Sequence, residues 1–239
     1  FITISNDPLG GLDGILLLKI LLEQRPDYKI MANFLLTRIA PLAPYIIQVN
    51  PFENHKEVSS SLMGFKQALA HLKEGFPLGI FPAGEVSTQP SGNIYVDKTW
   101  DKSAMKLIKK ANVPIVPIYF HAKNSPLFYQ LAKQSDTLRT AKLPSELLSQ
   151  KNKTIGIRIG RPILPKVQED MEDLYEFSNF LRKKTYLLSN TYDQKKLFKS
   201  FASMIRVRNN KDPQEIAPAQ APEVLEREIV ALRAQQHTM

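Results

Sequence analysis

The sequence predicts an α/β fold with a mixed, largely parallel sheet flanked by helices. Two observations predict it. Apolar strand-like segments alternate with helical segments along residues 1–190, which is the pattern of an α/β domain. Several of the strand-like segments are apolar throughout, as in strands that helices cover on both faces. With 43% hydrophobic residues among 239, the chain can bury the core of one large domain.

The predicted elements are as follows, in chain order. Strands are predicted at residues 1–5, 29–35, 45–49, 77–81, 113–120 and 154–159, the last one half-exposed because apolar and polar residues alternate in it. Helices are predicted at residues 13–24, 55–74, 100–111, 126–148 with a break near 140–144, and 169–188.

Local signals place the ends of the first two helices. The first ends before Pro26, because a proline ring cannot continue a helix. The second presents Phe65, Leu69 and Leu72 on one face at helical spacing, and Gly75 stands where helices commonly end.

The composition changes after about residue 190. Residues 209–222 are rich in Asn, Pro and Ala and are typical of a linker, and residues 223–236 are compatible with one helix. We therefore expect one domain at residues 1–190, followed by a C-terminal extension and linker at 191–239. The start of a truncated second domain is an open alternative for this extension. Because the chain begins with Phe1 rather than Met, we expect it to be part of a longer protein.

Composition and charge narrow the choice of partners. The chain has no cysteine, which excludes disulfides and cysteine metal sites, and no apolar run long enough to cross a membrane. The net charge of +9 favours an anionic partner such as a lipid headgroup, a nucleic acid or an acidic carrier protein. Nucleic acid is not predicted, because aromatic residues do not interleave with the basic ones. Candidates for the contact face are Lys102, Lys106, Lys109 and Lys110. No oligomeric state is predicted.

The most informative segment joins the first strand to the first helix. Residues 6–14 read Asn-Asp-Pro-Leu-Gly-Gly-Leu-Asp-Gly, a polar, glycine-rich turn at the carboxyl end of a strand, where open α/β sheets bind ligands. Its two adjacent glycines allow a tight turn and close approach of a substrate. A second turn, within residues 79–88, follows the strand at 77–81 and ends with the hydroxyl groups of Ser87 and Thr88. Its backbone N–H groups and hydroxyls suit an anion.

Both segments resemble motifs of the glycerolphosphate and lysophospholipid acyltransferases, in the hemolysin-like, lyso-ornithine-lipid acyltransferase-like branch. The first motif of that branch reads Asn-His-Pro-Leu-Gly-Gly-Leu-Asp-Gly and differs from residues 6–14 only at position 7. Its third motif reads Phe-Pro-Ala-Gly-Glu, as do residues 81–85. The resemblance implies an acyltransferase-type αβ sandwich over residues 1–190 and a catalytic pair at Asp7 and Asp13. The expected substrate-binding residues are Asn6, Gly10, Gly11, Phe81, Pro82, Gly84, Glu85, Ser87 and Thr88.

Asp7 stands where this family has its catalytic histidine. In the family the histidine takes the proton of the acceptor hydroxyl, and an aspartate that Asp13 matches orients the ring. A carboxyl group has a reference pKa of about 3.9 against about 6.5 for imidazole, so it is the weaker base. Repulsion between Asp7 and Asp13 would raise one pKa and restore some basicity. We therefore expect impaired catalysis, with both carboxyl groups in one turn at the mouth of a pocket and close to residues 81–85.

The resemblance implies transfer of a fatty acyl group from acyl carrier protein or acyl coenzyme A to a lyso-lipid. The family's second motif usually carries an Arg that binds the acceptor's phosphate, but residues 49–54 contain none. This favours a lyso-aminolipid such as lyso-ornithine lipid over a lysophospholipid. No metal or organic cofactor is implied. The expected location is peripheral, on the cytoplasmic face of a bacterial inner membrane. The alternative is a non-catalytic lipid-binding module that keeps the fold.

Overall fold

A six-stranded sheet lies at the centre of the structure, a computed structural model that describes residues 1–49 and 58–189. Its strands are β1 (Ile2–Ser5), β2 (Lys29–Asn33), β3 (Ile46–Val49), β4 (Leu78–Ile80), β7 (Ile115–His121) and β8 (Gly156–Ile159), and a separate hairpin consists of β5 (Thr88–Ser91) and β6 (Ile94–Val96). The sheet order is β3-β2-β4-β1-β7-β8, in which β8 is antiparallel to β7 and the other neighbours are parallel. The predicted mixed, largely parallel sheet is confirmed.

Strand β1 lies between β4 and β7 and runs parallel to both. Ile4 is level with Ile80 of β4 and with Pro117 of β7. The three strands therefore end at the same edge of the sheet, which receives the turns that follow β1 and β4. This order brings the two sequence motifs to one place, because ligand sites of such sheets form at the carboxyl ends of the strands.

Helices cover both faces of the sheet. They are α1 (Leu12–Leu22), α2 (Phe34–Thr37), α3 (Val58–Lys73), α4 (Lys102–Ala111), α5 (Pro126–Gln134), α6 (Asp136–Ser149), α7 (Pro165–Glu169) and α8 (Leu174–Tyr186). Residues of α3, α4 and α8 share one apolar cluster with the sheet, and α1 packs in a second cluster. Among the described residues, no helix is both long enough and apolar enough to span a membrane.

Successive side chains of β1 point to opposite faces of the sheet and so pack against the two different layers of helices. Ile2 and Ile4 belong to the cluster of α3, α4 and α8. Thr3 points to the other face, where its hydroxyl and Tyr28 Oη are 2.7 Å apart. Gly79 is level with Thr3, and a Cβ atom there would collide with the Tyr28 hydroxyl. Glycine in β4 therefore makes room for a buried tyrosine that contacts β1.

The helical region predicted at residues 126–148 breaks at a different place from the one expected. The break lies at Ser135, between α5 and α6, rather than near 140–144. The side chain of Ser135 accepts hydrogen bonds from the first turn of α6, as an N-cap residue does. Pro144 lies inside α6 and does not end it.

Other boundaries also differ from the predictions. The strand predicted at 29–35 ends at Asn33, because the next four residues form α2. The helix predicted at 169–188 begins only at Leu174, where Asp173 accepts hydrogen bonds from the first turn of α8. The hairpin of β5 and β6 was not predicted. The start of the helix predicted at 55–74, the second-motif residues 50–54 and the extension at 191–239 lie outside the described residues, so the domain division stays a prediction.

Candidate active site

The glycine-rich turn between β1 and α1 depends on its glycines. Gly10 and Gly11 have φ angles of 71° and 134°, which side-chain-bearing residues rarely adopt. A Cβ atom on Gly10 would also collide with the side chain of Val86. The two motifs are therefore in direct contact here, and Gly10 allows the contact.

Asp7 and Asp13 lie together in this turn and accept hydrogen bonds from its backbone. The Asp13 side chain is fully buried, and its Oδ2 accepts the N–H groups of Leu9 at 2.8 Å and Gly10 at 3.1 Å. Asp7 is partly buried, and its Oδ1 accepts the N–H of Gly10 at 2.9 Å. The N–H of Gly10 therefore lies within hydrogen-bond distance of both carboxyl groups, and the charge of Asp7 acts on Asp13. No amide or hydroxyl group among the described residues donates to Oδ1 of Asp13.

Both carboxyl groups bind protons more tightly than exposed aspartates. Burial raises the pKa of Asp7 to about 6, and the charges of Asp97 and Glu85 act in the same direction. Burial, followed by the charge of Asp7, raises the pKa of Asp13 well above its ordinary value. The expected rise in basicity is therefore present, but burial contributes more to it than repulsion.

The second turn lies against the first. The N–H of Ser87 donates to the backbone carbonyl of Asp7 at 2.7 Å, so the proximity expected from the sequence is present. Phe81 and Phe120 have ring centroids 6.5 Å apart. Pro82 is buried and its carbonyl accepts the N–H of Asp101, at the start of α4. Gly84 is exposed and has a φ of 67°.

The hydroxyl groups of this second turn donate inward. Ser87 Oγ donates to Asp97 Oδ1 at 2.5 Å, and Thr88 Oγ1 donates to the carbonyl of Val96 at 3.2 Å. Each hydroxyl hydrogen thus already has an acceptor within the protein. An anion at this turn would therefore find the hydroxyl donors occupied, and the substrate-binding role of Ser87 and Thr88 stays a prediction.

Glu85 brings two cations to the same edge of the sheet. It forms ion pairs with Lys98 at 2.9 Å and with Arg139 of α6 at 3.1 Å. Arg139 is largely buried and also pairs with Asp136 at 3.2 Å. Sequence reasoning missed Arg139, because a helical arginine 54 positions from its partner carries no local signal.

Asn6 bonds both backbone groups of one residue in the neighbouring strand. Its Nδ2 donates to the carbonyl of Phe120 at 3.1 Å, and its Oδ1 accepts the N–H of Phe120 at 2.8 Å. The side chain thereby continues the pairing of β1 with β7 by one residue. Asn6 fixes where the Asp7 turn leaves the sheet, and contact with a substrate stays a prediction for it.

Asp97 is a second residue that sequence reasoning missed. It follows β6, is 1% exposed, and its Oδ1 accepts the N–H of Asp7 at 3.2 Å. A weak signal was present: a carboxylate that directly follows the apolar residues 94–96 and precedes Trp100 by three residues. Among the described residues, no group of three or more His, Cys, Asp or Glu side chains has an arrangement that could hold a metal ion.

Known proteins resemble this chain along most of its length. The model of a family described as Acyltransferase matches residues 1–195. The chain belongs to this acyltransferase family. The enzyme class expected from the two motifs is therefore confirmed at the level of the family.

Two curated relatives of this acyltransferase have the same name, lyso-glycine lipid O-acyltransferase. The one from Phocaeicola vulgatus is 29% identical over 192 residues, which cover 77% of this chain and 67% of the relative. The one from Bacteroides thetaiotaomicron is 30% identical over 169 residues, which cover 67% of this chain and 59% of the relative. Among solved structures, the 1-acyl-sn-glycerophosphate acyltransferase PlsC from Thermotoga maritima matches 88% of this chain and 68% of that one, with 15% identity and a TM-score of 0.47.

Proposed function

We propose that this acyltransferase moves a fatty acyl group from acyl carrier protein or acyl coenzyme A to the hydroxyl group of a lyso-aminolipid. The observation that carries the proposal is that Asp7 lies beside the buried Asp13 at the carboxyl edge of the sheet, where the pKa of Asp7 is raised to about 6, closer to that of a general base. The names of both curated relatives support a lyso-aminolipid acceptor. Residues 6–14 match the hemolysin-like motif at every position except 7, and this match supports that branch of the family.

In the proposed reaction Asp7 acts as the base. Its ionised carboxyl group accepts the proton of the acceptor hydroxyl while the hydroxyl oxygen attacks the thioester carbonyl carbon. The carbon–sulfur bond then breaks, and the leaving sulfur takes the proton from Asp7 to become a thiol. The acceptor gains an ester bond and Asp7 returns to its ionised form. Asp13 holds the turn that carries Asp7: its Oδ2 accepts the N–H groups of Leu9 and Gly10, and the N–H of Gly10 also donates to Asp7 Oδ1.

The pair of carboxyl groups is a weaker catalyst than a histidine and an aspartate. Protonation leaves Asp7 neutral, so the base gains no positive charge that a neighbouring carboxylate could stabilise. A histidine at position 7 would become positively charged in the reaction, and an ionised Asp13 would stabilise that charge. We therefore infer that the chain is a slow enzyme, as the replacement of the histidine suggests.

The charged residues of the chain support the proposed acceptor and the proposed location. No Arg stands in residues 49–54, and Arg139 is already paired with Glu85 and Asp136, which favours an aminolipid over a phosphate-bearing acceptor. The net charge of +9 favours peripheral binding to anionic lipid at the cytoplasmic face of the inner membrane. Lys106, Lys109 and Lys110 line a cleft of about 470 Å³, which makes this part of α4 the proposed contact face.

The function is tested with radiolabelled acyl thioesters and a panel of acceptors. Lyso-glycine lipid, lyso-ornithine lipid and lysophosphatidic acid are each offered with acyl coenzyme A and with acyl carrier protein, and Asp7→Asn is the matched control. We expect slow, Asp7-dependent acylation of the two aminolipids. The rival function, a lipid-binding module, is favoured by the missing histidine and predicts lipid binding without turnover in every arm.

A further inference from the structure

Asp97 connects the two turns of the active site through one carboxylate. Its Oδ1 accepts the backbone N–H of Asp7 at 3.2 Å and the hydroxyl of Ser87 at 2.5 Å. Its Oδ2 accepts Nε1–H of Trp100 at 3.1 Å. The three donors come from the turn after β1, the turn after β4 and the segment before α4. A single buried side chain therefore sets how these segments lie against each other.

The backbone of Asp97 is itself anchored to α8. Its N–H donates to Tyr186 Oη at 2.8 Å, and its carbonyl oxygen accepts a hydrogen bond from the guanidinium group of Arg182. Tyr186 and Arg182 are both buried. The backbone of Asp97 is thus anchored to α8, while its side chain bonds the turns that carry Asp7 and Ser87.

We propose that Asp97 is a positioning residue of the acyl-transfer site: its carboxylate holds the Asp7 turn and the Ser87 turn in the arrangement that directs Asp7 at the acceptor hydroxyl. The inference rests on the proposed function for the reaction that Asp97 serves. A buried carboxylate in contact with three donors from three segments is costly to desolvate, and its cost is offset here by those hydrogen bonds.

The charge of Asp97 gives the proposal a second, independent observable. The charged or titratable groups that act on Asp7 are Asp13 of α1, Asp97, and Glu85 of the second turn, whose own charge is paired with Lys98 and Arg139. Asp97 and Glu85 both raise the pKa of Asp7. Removing the charge of Asp97 should therefore lower the pKa of Asp7. Lengthening the side chain to that of glutamate should leave the pKa of Asp7 unchanged but disturb the hydrogen bonds that hold the two turns.

The experiment compares three variants with the wild type. Asp97→Asn removes the charge, Asp97→Glu keeps the charge and changes the reach, and Asp101→Asn is the control at an exposed aspartate that caps α4. Carbon-13 NMR of labelled aspartates follows the titration of Asp7, whose signal is assigned with Asp7→Asn. Steady-state kcat and KM are measured over the same pH range with acyl coenzyme A and lyso-glycine lipid.

We expect Asp97→Asn to lower the titration midpoint of Asp7 by about one pH unit, the low end of the shift caused by a nearby charge. The acid limb of the kcat/KM profile should move by the same amount. Asp97→Glu should leave the midpoint in place and lower kcat roughly tenfold with little change in KM, since small misplacements at a reacting group cost this much or more. Asp101→Asn should change neither quantity.

Two results would overturn the proposal: an unchanged Asp7 midpoint in Asp97→Asn, or a wild-type kcat in Asp97→Glu. If Asp97→Asn does not fold, Asp97→Glu and Ser87→Ala decide, because Ser87→Ala breaks one of the two links through Oδ1. Wild-type kcat in either variant would then overturn it. Absence of turnover in the wild type and in Asp7→His would instead refute the proposed function, while the NMR midpoints would still decide the coupling of Asp97 to Asp7.

Discussion

The molecule carries charge in two regions that differ in burial and in partners. At the carboxyl edge of the sheet, Asp13 and Asp97 are buried and Asp7 partly so, and each accepts hydrogen bonds at the distances given above. The lysine face of α4, defined by Lys102, Lys106, Lys109 and Lys110, is mostly exposed. Among the described residues, none of these lysines lies within ion-pair distance of a carboxylate.

This difference in burial indicates that the carboxyl groups serve catalysis and that the lysine face serves membrane binding. Like charges that are buried close together destabilise a fold, so a group of carboxyl groups with raised pKa values is typical of a functional site. Exposed lysines cost the fold little and suit a screened, reversible contact with an anionic surface. We therefore expect substitutions in the first region to change rate and pH dependence, and substitutions in the second to change membrane binding alone.

The largest expected effect comes from restoring the family's base. Asp7→His should raise the rate of acyl transfer by at least about a hundredfold, the low end of what a positioned general base contributes. Oδ1 of Asp13 has no amide or hydroxyl donor among the described residues, so an imidazole N–H can take it as acceptor. Initial rates at saturating acyl donor give the ratio. Adding Asp13→Ala should remove most of the gain. A gain that survives the double substitution would show that Asp13 does not orient the ring.

The lysine face should control binding to anionic vesicles. Lys106→Ala combined with Lys110→Ala should weaken binding about thirtyfold at low salt, since each basic residue near a charged membrane contributes about 1 kcal/mol. Flotation with anionic and neutral vesicles measures the change. Lys151→Ala with Lys153→Ala is the matched control, because those lysines are equally exposed and lie outside α4. Equal binding of the wild type to both kinds of vesicle would contradict this role.

Asp7→Asn should stabilise the fold at alkaline pH. The folded-state pKa of Asp7 is raised, so its contribution to the free energy of unfolding is present below the unfolded-state pKa near 4 and is lost as the pH rises through about 6. Asparagine can still accept the N–H of Gly10 and carries no charge. Urea unfolding should give a free energy of unfolding about 1–2 kcal/mol higher for the variant at pH 8. The two proteins should be equally stable at pH 4, and a constant difference across this range would exclude titration of Asp7 as its cause.

Removing the C-terminal extension should have the smallest effect. Deletion of residues 210–239 should change the melting temperature by less than about 5 °C, which corresponds to roughly 1–2 kcal/mol for a domain of this size. The reason is compositional, since the linker-like residues offer few apolar side chains to a core. Differential scanning calorimetry of the two forms checks it. A larger drop would show that these residues contribute to the domain that carries both charged regions.

The sequence predicted the parts of the fold that depend on local pattern. The strands next to the site and the contact between the two motifs follow from apolar segments and from the rule for carboxyl ends of parallel strands. The hairpin of β5 and β6 was missed because its strands are short and β5 contains Pro90. Ser135 was missed as a helix boundary because Pro144 is the stronger breaker by propensity, yet α6 accommodates it.

The candidate site was predictable only within and between the two sequence motifs. Asp7 and Asp13 lie in one motif, and their pairing follows from it. Asp97 contacts Asp7, which is 90 positions away in the sequence, and Tyr186, which is 89 positions away. No pattern in a single sequence predicts contacts of that kind. Burial raises the pKa of Asp7 more than charge repulsion does, and this burial depends on the packing of several segments around the turn.

The central claim is that acyl transfer passes through the carboxyl group of Asp7. The most direct measurement is the initial rate of acylation of lyso-glycine lipid by the wild type and by Asp7→Asn, at pH 8 and saturating acyl donor. Asparagine keeps the acceptor for the Gly10 N–H and cannot take a proton, so the account predicts that the rate falls to the level without protein. An Asp7→Asn enzyme that turns over as fast as the wild type would contradict it.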